Sequence, residues 1–274
     1  MDIMNFGTEI APGKYRLHSR FATVYNYQNA EKIISLVTPQ IGFGPNNIVC
    51  SKLPAAAPDC VSLAENNLRI GTESFSLPTP CFYHAKNYSG KPAELRTILV
   101  KLGQEIPFSD HSLGFLLQPH LTKNFTTTFQ QAFLHHMQDS IADLTLNSLP
   151  QIATEIKGAG FGLTPSGDDF ICGALYALHY LSSLFHKDYQ SQLQMVYQNA
   201  LGANLISNTF LYFAYQNKYY RNFYRFLEAL ASGNPAQMQQ RAKQILTTGH
   251  SSGSDTLTGF IFTMKEVMND QELG

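Results

Sequence analysis

The chain has 274 residues, a hydrophobic content of 44% and a formal net charge of −1, which describes a globular protein with enough length for one large core or two smaller ones. Charged residues make up only 14%, against roughly 25% in ordinary soluble chains, so either part of the surface is covered by a partner or the composition is simply biased. No basic block, acidic tail or bilayer-length apolar run is present, which argues against nucleic acid and membrane as partners and makes a cytoplasmic protein the expectation.

The opening residues carry Asp2 and Glu9 in a mixed sequence without an apolar signal core. Residues 1 to about 106 read as β-rich. Arg16 to Tyr27, Ile33 to Thr38, Ile48 to Cys50 and Ile98 to Val100 are short runs of β-branched, aromatic or aliphatic residues separated by Gly, Pro and Asn. Val61 to Ile70 alternates like a hairpin turning at Asn66-Asn67. Gly42-Phe43-Gly44-Pro45 reads as a turn, with a substrate role as the alternative. Cys50, Cys60, Cys81 and Cys172 lack the spacing of a zinc site or a disulfide framework, so free thiols are expected.

From about residue 120 the apolar period becomes helical. Phe125, Phe129, Phe133, Met137, Ile141 and Leu144 mark one face of a long helix, and a short helix ends near Lys157-Gly158. Further amphipathic segments follow around Leu193 to Ala200, Leu205 to Tyr215, Tyr220 to Leu230, Gln237 to Leu246 and Leu257 to Met268. The expected architecture is α+β: a β-rich, barrel- or sandwich-like domain over 1–110, then an all-helical domain over 120–274, divided near Ser109 to Thr122.

The densest chemistry lies in Gly160-Phe161-Gly162-Leu163-Thr164-Pro165-Ser166-Gly167-Asp168-Asp169-Phe170 and the helical pattern after it. Glycines and Pro165 permit a tight backbone path. Thr164 or Ser166 is expected to cap the helix, with Asp168 and Asp169 in its first turn. Thr248 to Gly259 repeats the skeleton Ser-Gly-x-Asp-x-apolar-x-Gly at a constant offset of 86 residues (Ser166 to Ser252, Gly173 to Gly259). Each copy opens a helix and so aims backbone N–H groups at a prospective anion.

This pattern makes Thr164, Ser166, Gly167, Ser251, Ser252, Gly253 and Asp255 candidates for substrate binding. Asp168, Asp169 and His250 are the candidates for proton transfer. One carboxylate holding a magnesium ion against substrate oxygens is the metal alternative; no other cofactor is indicated. A Gly-Lys-Ser/Thr phosphate loop and a Gly-x-Ser-x-Gly nucleophile are both absent.

The two loops resemble the signature stretches of the AllH-like family, a bacterial family long catalogued as a domain of unknown function. Asn204-Leu205-Ile206-Ser207-Asn208-Thr209-Phe210-Leu211 resembles a third, weaker stretch and adds Ser207 to the binding candidates. The likeness spans most of the chain, loosely in the strand-rich half. It departs at Ser254, where an aromatic residue is expected, and at Phe161, where a small one is common.

The resemblance implies a subunit of oxamate carbamoyltransferase in anaerobic allantoin and purine degradation. That enzyme takes oxalurate and phosphate to oxamate and carbamoyl phosphate, with two larger subunits as partners. Two other classes stay open: a stand-alone metal-dependent hydrolase or phosphoryl-transfer enzyme on a small anionic metabolite, and a non-catalytic assembly subunit.

Overall fold

The computed structural model describes residues 1–30, 32–80, 83 and 92–273. Cys81 lies outside the described residues, and Cys50, Cys60 and Cys172 are free thiols. Backbone contacts divide the chain into two compact units, Met1–Ala85 with Lys218–Tyr224, and Lys86–Asn217 with Arg225–Gly274. The segment Ser109 to Thr122 therefore falls inside the second unit.

The first unit is built on eight strands: β1 (Ile3–Phe6), β2 (Gly13–Arg20), β3 (Val24–Gln28), β4 (Ile33–Val37), β5 (Asn47–Cys50), β6 (Cys60–Ala64), β7 (Asn67–Ile70) and β8 (Glu73–Ser76). They form one nearly closed, barrel-like sheet in the order β1-β5-β4-β3-β2-β6-β7-β8. Every neighbouring pair is antiparallel except β4 and β5. Alternation places Tyr15, Tyr27, Leu36, Ile48 and Leu68 in a shared interior, as expected of strands with one buried face. The run Arg16 to Tyr27 is two strands, because Phe21-Ala22-Thr23 turns the chain and Phe21 N–H donates to the Val24 carbonyl at 2.8 Å.

The second unit is helical: α1 (Pro92–Glu105), α2 (Thr128–Ile141), α3 (Leu149–Ile156), α4 (Ser166–Phe185), α5 (Gln190–Ala200), α6 (Leu205–Tyr215), most of α7 (Arg221–Ser232), α8 (Pro235–Leu246) and α9 (Ser252–Leu273). A β-rich part followed by a helical part is the architecture expected from the sequence, with one correction. Ile98 to Val100 is not a strand. It lies in α1, whose buried residues Leu95, Leu99 and Leu102, followed by Ile106 just beyond it, carry a helical period that the short apolar run concealed.

In α2 the stripe also differs from expectation. Steps of four residues advance about 40° beyond a full turn each time, so a stripe built only from such steps winds around the helix. Phe125 precedes α2, Phe129 is 67% exposed, and Phe133, Leu134, Met137 and Ile141 face inward. Thr127 and Gln130 close a capping box at its start.

No helix among the described residues is long and apolar enough to cross a membrane. Helix α4 is the centre of the unit: every residue from Ser166 to Leu178 is buried, the mark of a helix packed on all sides.

Candidate functional site

The two sequence copies fold into one reciprocal structure around the starts of α4 and α9. Each copy is a helix, a glycine-bearing loop and a second helix: α3 to α4 and α8 to α9. Gly167 packs against the carbonyl of Ile156 at the end of α3, and Gly253 against the carbonyl of Ile245 near the end of α8. Six residues later, nearly two helical turns on, Gly173 meets the Thr256 carbonyl and Gly259 meets the Phe170 carbonyl, all too close for a Cβ. Because Phe170 and Thr256 are also equivalent positions, α4 and α9 cross with approximate two-fold symmetry, backbone against backbone.

The cap expected at Thr164 or Ser166 is not formed. Pro165 occupies the cap position without a side-chain hydrogen bond, and Ser166 is the first helical residue. The Thr164 hydroxyl instead donates to Asp169 Oδ2 at 2.9 Å. The amides of Gly167 and Gly253, expected as free anion donors, are engaged with the carbonyls of Ala159 (2.9 Å) and Thr248 (3.0 Å). Their contribution is close packing, which the backbone of a larger residue would prevent.

Three buried carboxyls lie behind the loops. Asp168 Oδ1 accepts from the Gly158 N–H at 2.8 Å, and Asp255 Oδ1 accepts from the Leu113 N–H at 2.6 Å. Reciprocity continues in the side chains. Ser252 of the second copy holds down the pKa of Asp169 in the first, and Ser166 of the first does the same for Asp255 in the second.

Burial raises all three pKa values, because a charge loses its hydration there. Asp168 is raised by burial and moderated by the Gly158 N–H, Ser207 and Lys157. Asp169 is pushed well above the usual carboxylate range, first by burial and then by the charge of Asp255. Burial pushes Asp255 to about 7 against the opposing effects of the Leu113 N–H, Ser166 and Ser251. Burial and the neighbouring Asp255 thus disfavour the charged form of Asp169, and Asp255, at about 7, is the group poised to exchange a proton near neutral pH.

Several polar atoms at this junction are unsatisfied. Ser166 Oγ, Ser207 Oγ and Asp255 Oδ2 are buried without a partner in hydrogen-bonding geometry, although Ser166 faces Asp255 and Ser207 faces Asp168 closely enough to affect their titration. Such orphans are uncommon in folded proteins and call for an explanation. Among the described residues no three His, Cys, Asp or Glu side chains are grouped so as to hold a metal ion.

The start of α6 joins the same junction. Asn204 caps it by accepting from the N–H groups of Ile206 and Ser207, and its Nδ2 donates to the Leu163 carbonyl of the first loop at 2.8 Å. Asn204→Ala is expected to cost about 1–2 kcal/mol and to speed amide exchange across residues 160–164. Thermal melts and hydrogen–deuterium exchange measure both; a melt and exchange pattern like the parent's would show that the tether is idle.

The remaining candidates lie nearer the surface. His250 is exposed, and its carbonyl accepts from the Ser109 hydroxyl at 3.0 Å. Ser251 lies beside Asp255. At the two departures from the family pattern, Ser254 Oγ accepts from the Ser109 N–H at 3.1 Å, and Phe161 packs edge-on against Phe129 and Phe133. Ser109 and Leu113, 142 to 145 positions from their partners, were not identifiable as site residues from the sequence.

The molecule thus combines a barrel-like β unit with a helical unit in which two duplicated helix starts share buried acids and hydroxyls. Residues 156–264 match the model of a family described as oxamate carbamoyltransferase subunit AllH. The matched segment, which contains both copies and the start of α6, is what the chain shares with that family. No solved structure matches the chain significantly.

Proposed function

We propose that this chain serves as an AllH-type subunit of an oxamate carbamoyltransferase, working with larger partner subunits in allantoin and purine degradation in the cytoplasm. Its loops before α4 and α9 and the start of α6 bind the anionic groups of oxalurate and phosphate. The observation that carries this reading is that Ser166 Oγ and Asp255 Oδ2, side by side at the starts of α4 and α9, and Ser207 Oγ, beside Asp168 at the start of α6, are buried without a partner in hydrogen-bonding geometry within the matched segment. Helix starts favour anions through their free N–H groups and dipole.

In the reaction a phosphate oxygen forms a bond to the carbamoyl carbon of oxalurate. The bond from that carbon to the oxamate nitrogen breaks, and this nitrogen takes a proton. Ser166, Ser207, Ser251 and Ser252 supply hydroxyl donors to the anions and to the oxygen that gains charge in the tetrahedral intermediate, while the Thr164 hydroxyl holds Asp169. Gly167 and Gly253 hold the loops in place by close packing. Among Asp168, Asp169 and Asp255, the last has the pKa suited to moving the proton at neutral pH, and His250 is the exposed alternative.

The burial of Asp169 and Asp255, 3% and 0% exposed, favours a second reading in which these groups only brace the loops of an assembly subunit. Reconstitution with the partner subunits separates the two. Ser166→Ala and Ser207→Ala are each expected to reduce carbamoyl phosphate formation at least tenfold with little change in melting temperature. Full turnover in both variants would leave the assembly role.

A further inference from the structure

The barrel-like unit holds a cavity of its own. It has a volume of about 240 Å³ and is lined by Thr8, Glu9, Gly44, Pro45, Tyr83, Lys218 and Tyr219, all within that unit. Its wall contains Gly44 and Pro45 of the Gly42-Phe43-Gly44-Pro45 segment, which does more than turn the chain. The backbone at Gly42 and Gly44 approaches the Arg221 guanidinium and the Tyr220 ring more closely than a side chain would allow.

The walls are fixed by further bonds. Glu9 N–H donates to the Pro45 carbonyl at 2.9 Å and Arg221 N–H to the Phe43 carbonyl at 3.0 Å. The Tyr220 hydroxyl donates to Asn46 Oδ1 at 2.7 Å. Across the opening Lys218 Nζ pairs with Glu9 Oε1 at 2.7 Å, each side chain about one quarter exposed. Tyr83 stacks obliquely on Tyr224, with ring centroids 4.7 Å apart.

We propose that this cavity is a binding site for a small planar carboxylate that carries an N–H group beside the carboxylate. A cavity of 150 Å³ accommodates benzene, so this volume corresponds to roughly nine or ten non-hydrogen atoms. Aromatic side chains at Tyr83 and Tyr219 favour a flat ligand. The cation and the anion set its polarity: Lys218 receives the carboxylate, and Glu9 accepts from the N–H group in charge-assisted bonds. A site with few polar groups fixed in a mostly apolar wall is the usual form of a small-molecule pocket.

Orotate has this shape and polarity, whereas benzoate has the plane and carboxylate without N–H groups. Calorimetric titration of the full chain with orotate is expected to show saturable binding. Lys218→Met and Glu9→Gln each weaken it at least tenfold, benzoate binds at least tenfold more weakly, and Ser166→Ala leaves it unchanged. Both substitutions fall on partly exposed side chains, and melting curves verify that the fold is kept. No orotate binding, equal affinity for benzoate, or binding indifferent to both substitutions overturns the proposal. Carbamoyl transfer by the reconstituted complex is read separately, so either conclusion can fail without the other.

Discussion

Asp255→Asn is expected to raise the melting temperature at pH 8, and to raise it by much less at pH 5. The folded protein holds the Asp255 proton up to about pH 7, whereas an unfolded chain releases it near the ordinary carboxylate value of about 4. Between those values the native state binds more protons than the unfolded one, so stability falls as pH rises. The full window represents at most about 4 kcal/mol, and asparagine, which cannot ionise, removes that loss. Its carbonyl still accepts from the Leu113 N–H, and its amide takes the place of the unpartnered Oδ2. Calorimetric melts of parent and variant between pH 5 and 8 give the test. Parallel pH profiles would mean that Asp255 does not change its charge in this range. Asp169 is pushed in the same direction, by burial and then by the charge of Asp255, so the substitution also lessens the decline that Asp169 adds.

The largest losses of stability are expected from Gly173→Ala and Gly259→Ala. Each added methyl group points at a backbone carbonyl of the crossing helix, Thr256 in one case and Phe170 in the other. A flexible side chain can move aside, but a helix backbone cannot move without lifting the whole α4–α9 contact. Each substitution is expected to cost about 3 kcal/mol or more, and the double variant less than the sum, because either one already separates the same pair. Gly202→Ala is the control, since no atom lies within 4 Å of its Cβ position. Loss of helical signal in urea measures all four proteins. Midpoints for the two crossing variants close to that of the control would refute the packing described for α4 and α9.

Much of this was legible in the sequence because local patterns report local structure. Alternation around Val61 to Ile70 gave a hairpin, and Asn234-Pro235 marked the start of α8. The 86-residue repeat marked the two loops, but could not show that they face each other. That required the tertiary crossing, in which Asp169 meets Ser252 and Asp255 meets Ser166. Motif spacing likewise left Gly167 and Gly253 as apparent amide donors, since only the fold reveals the carbonyls of Ala159 and Thr248 that occupy them. Leu113 and Ser109 carry no local signal at all; one opens a short 3-10 helix and the other lies in a loop, and only the fold brings them to Asp255 and Ser254.

The reciprocal pairing has a consequence for how such a chain can vary over evolutionary time. A duplicated segment normally frees one copy to drift while the other preserves the original role. Here each copy completes its counterpart, with the serine of one beside the acid of the other and each second glycine accommodating its counterpart's backbone. Positions 166 and 255, and likewise 169 and 252, form units of inheritance larger than a single residue. A change at one alters the surroundings of the other, so the two halves of the repeat are not free to vary independently.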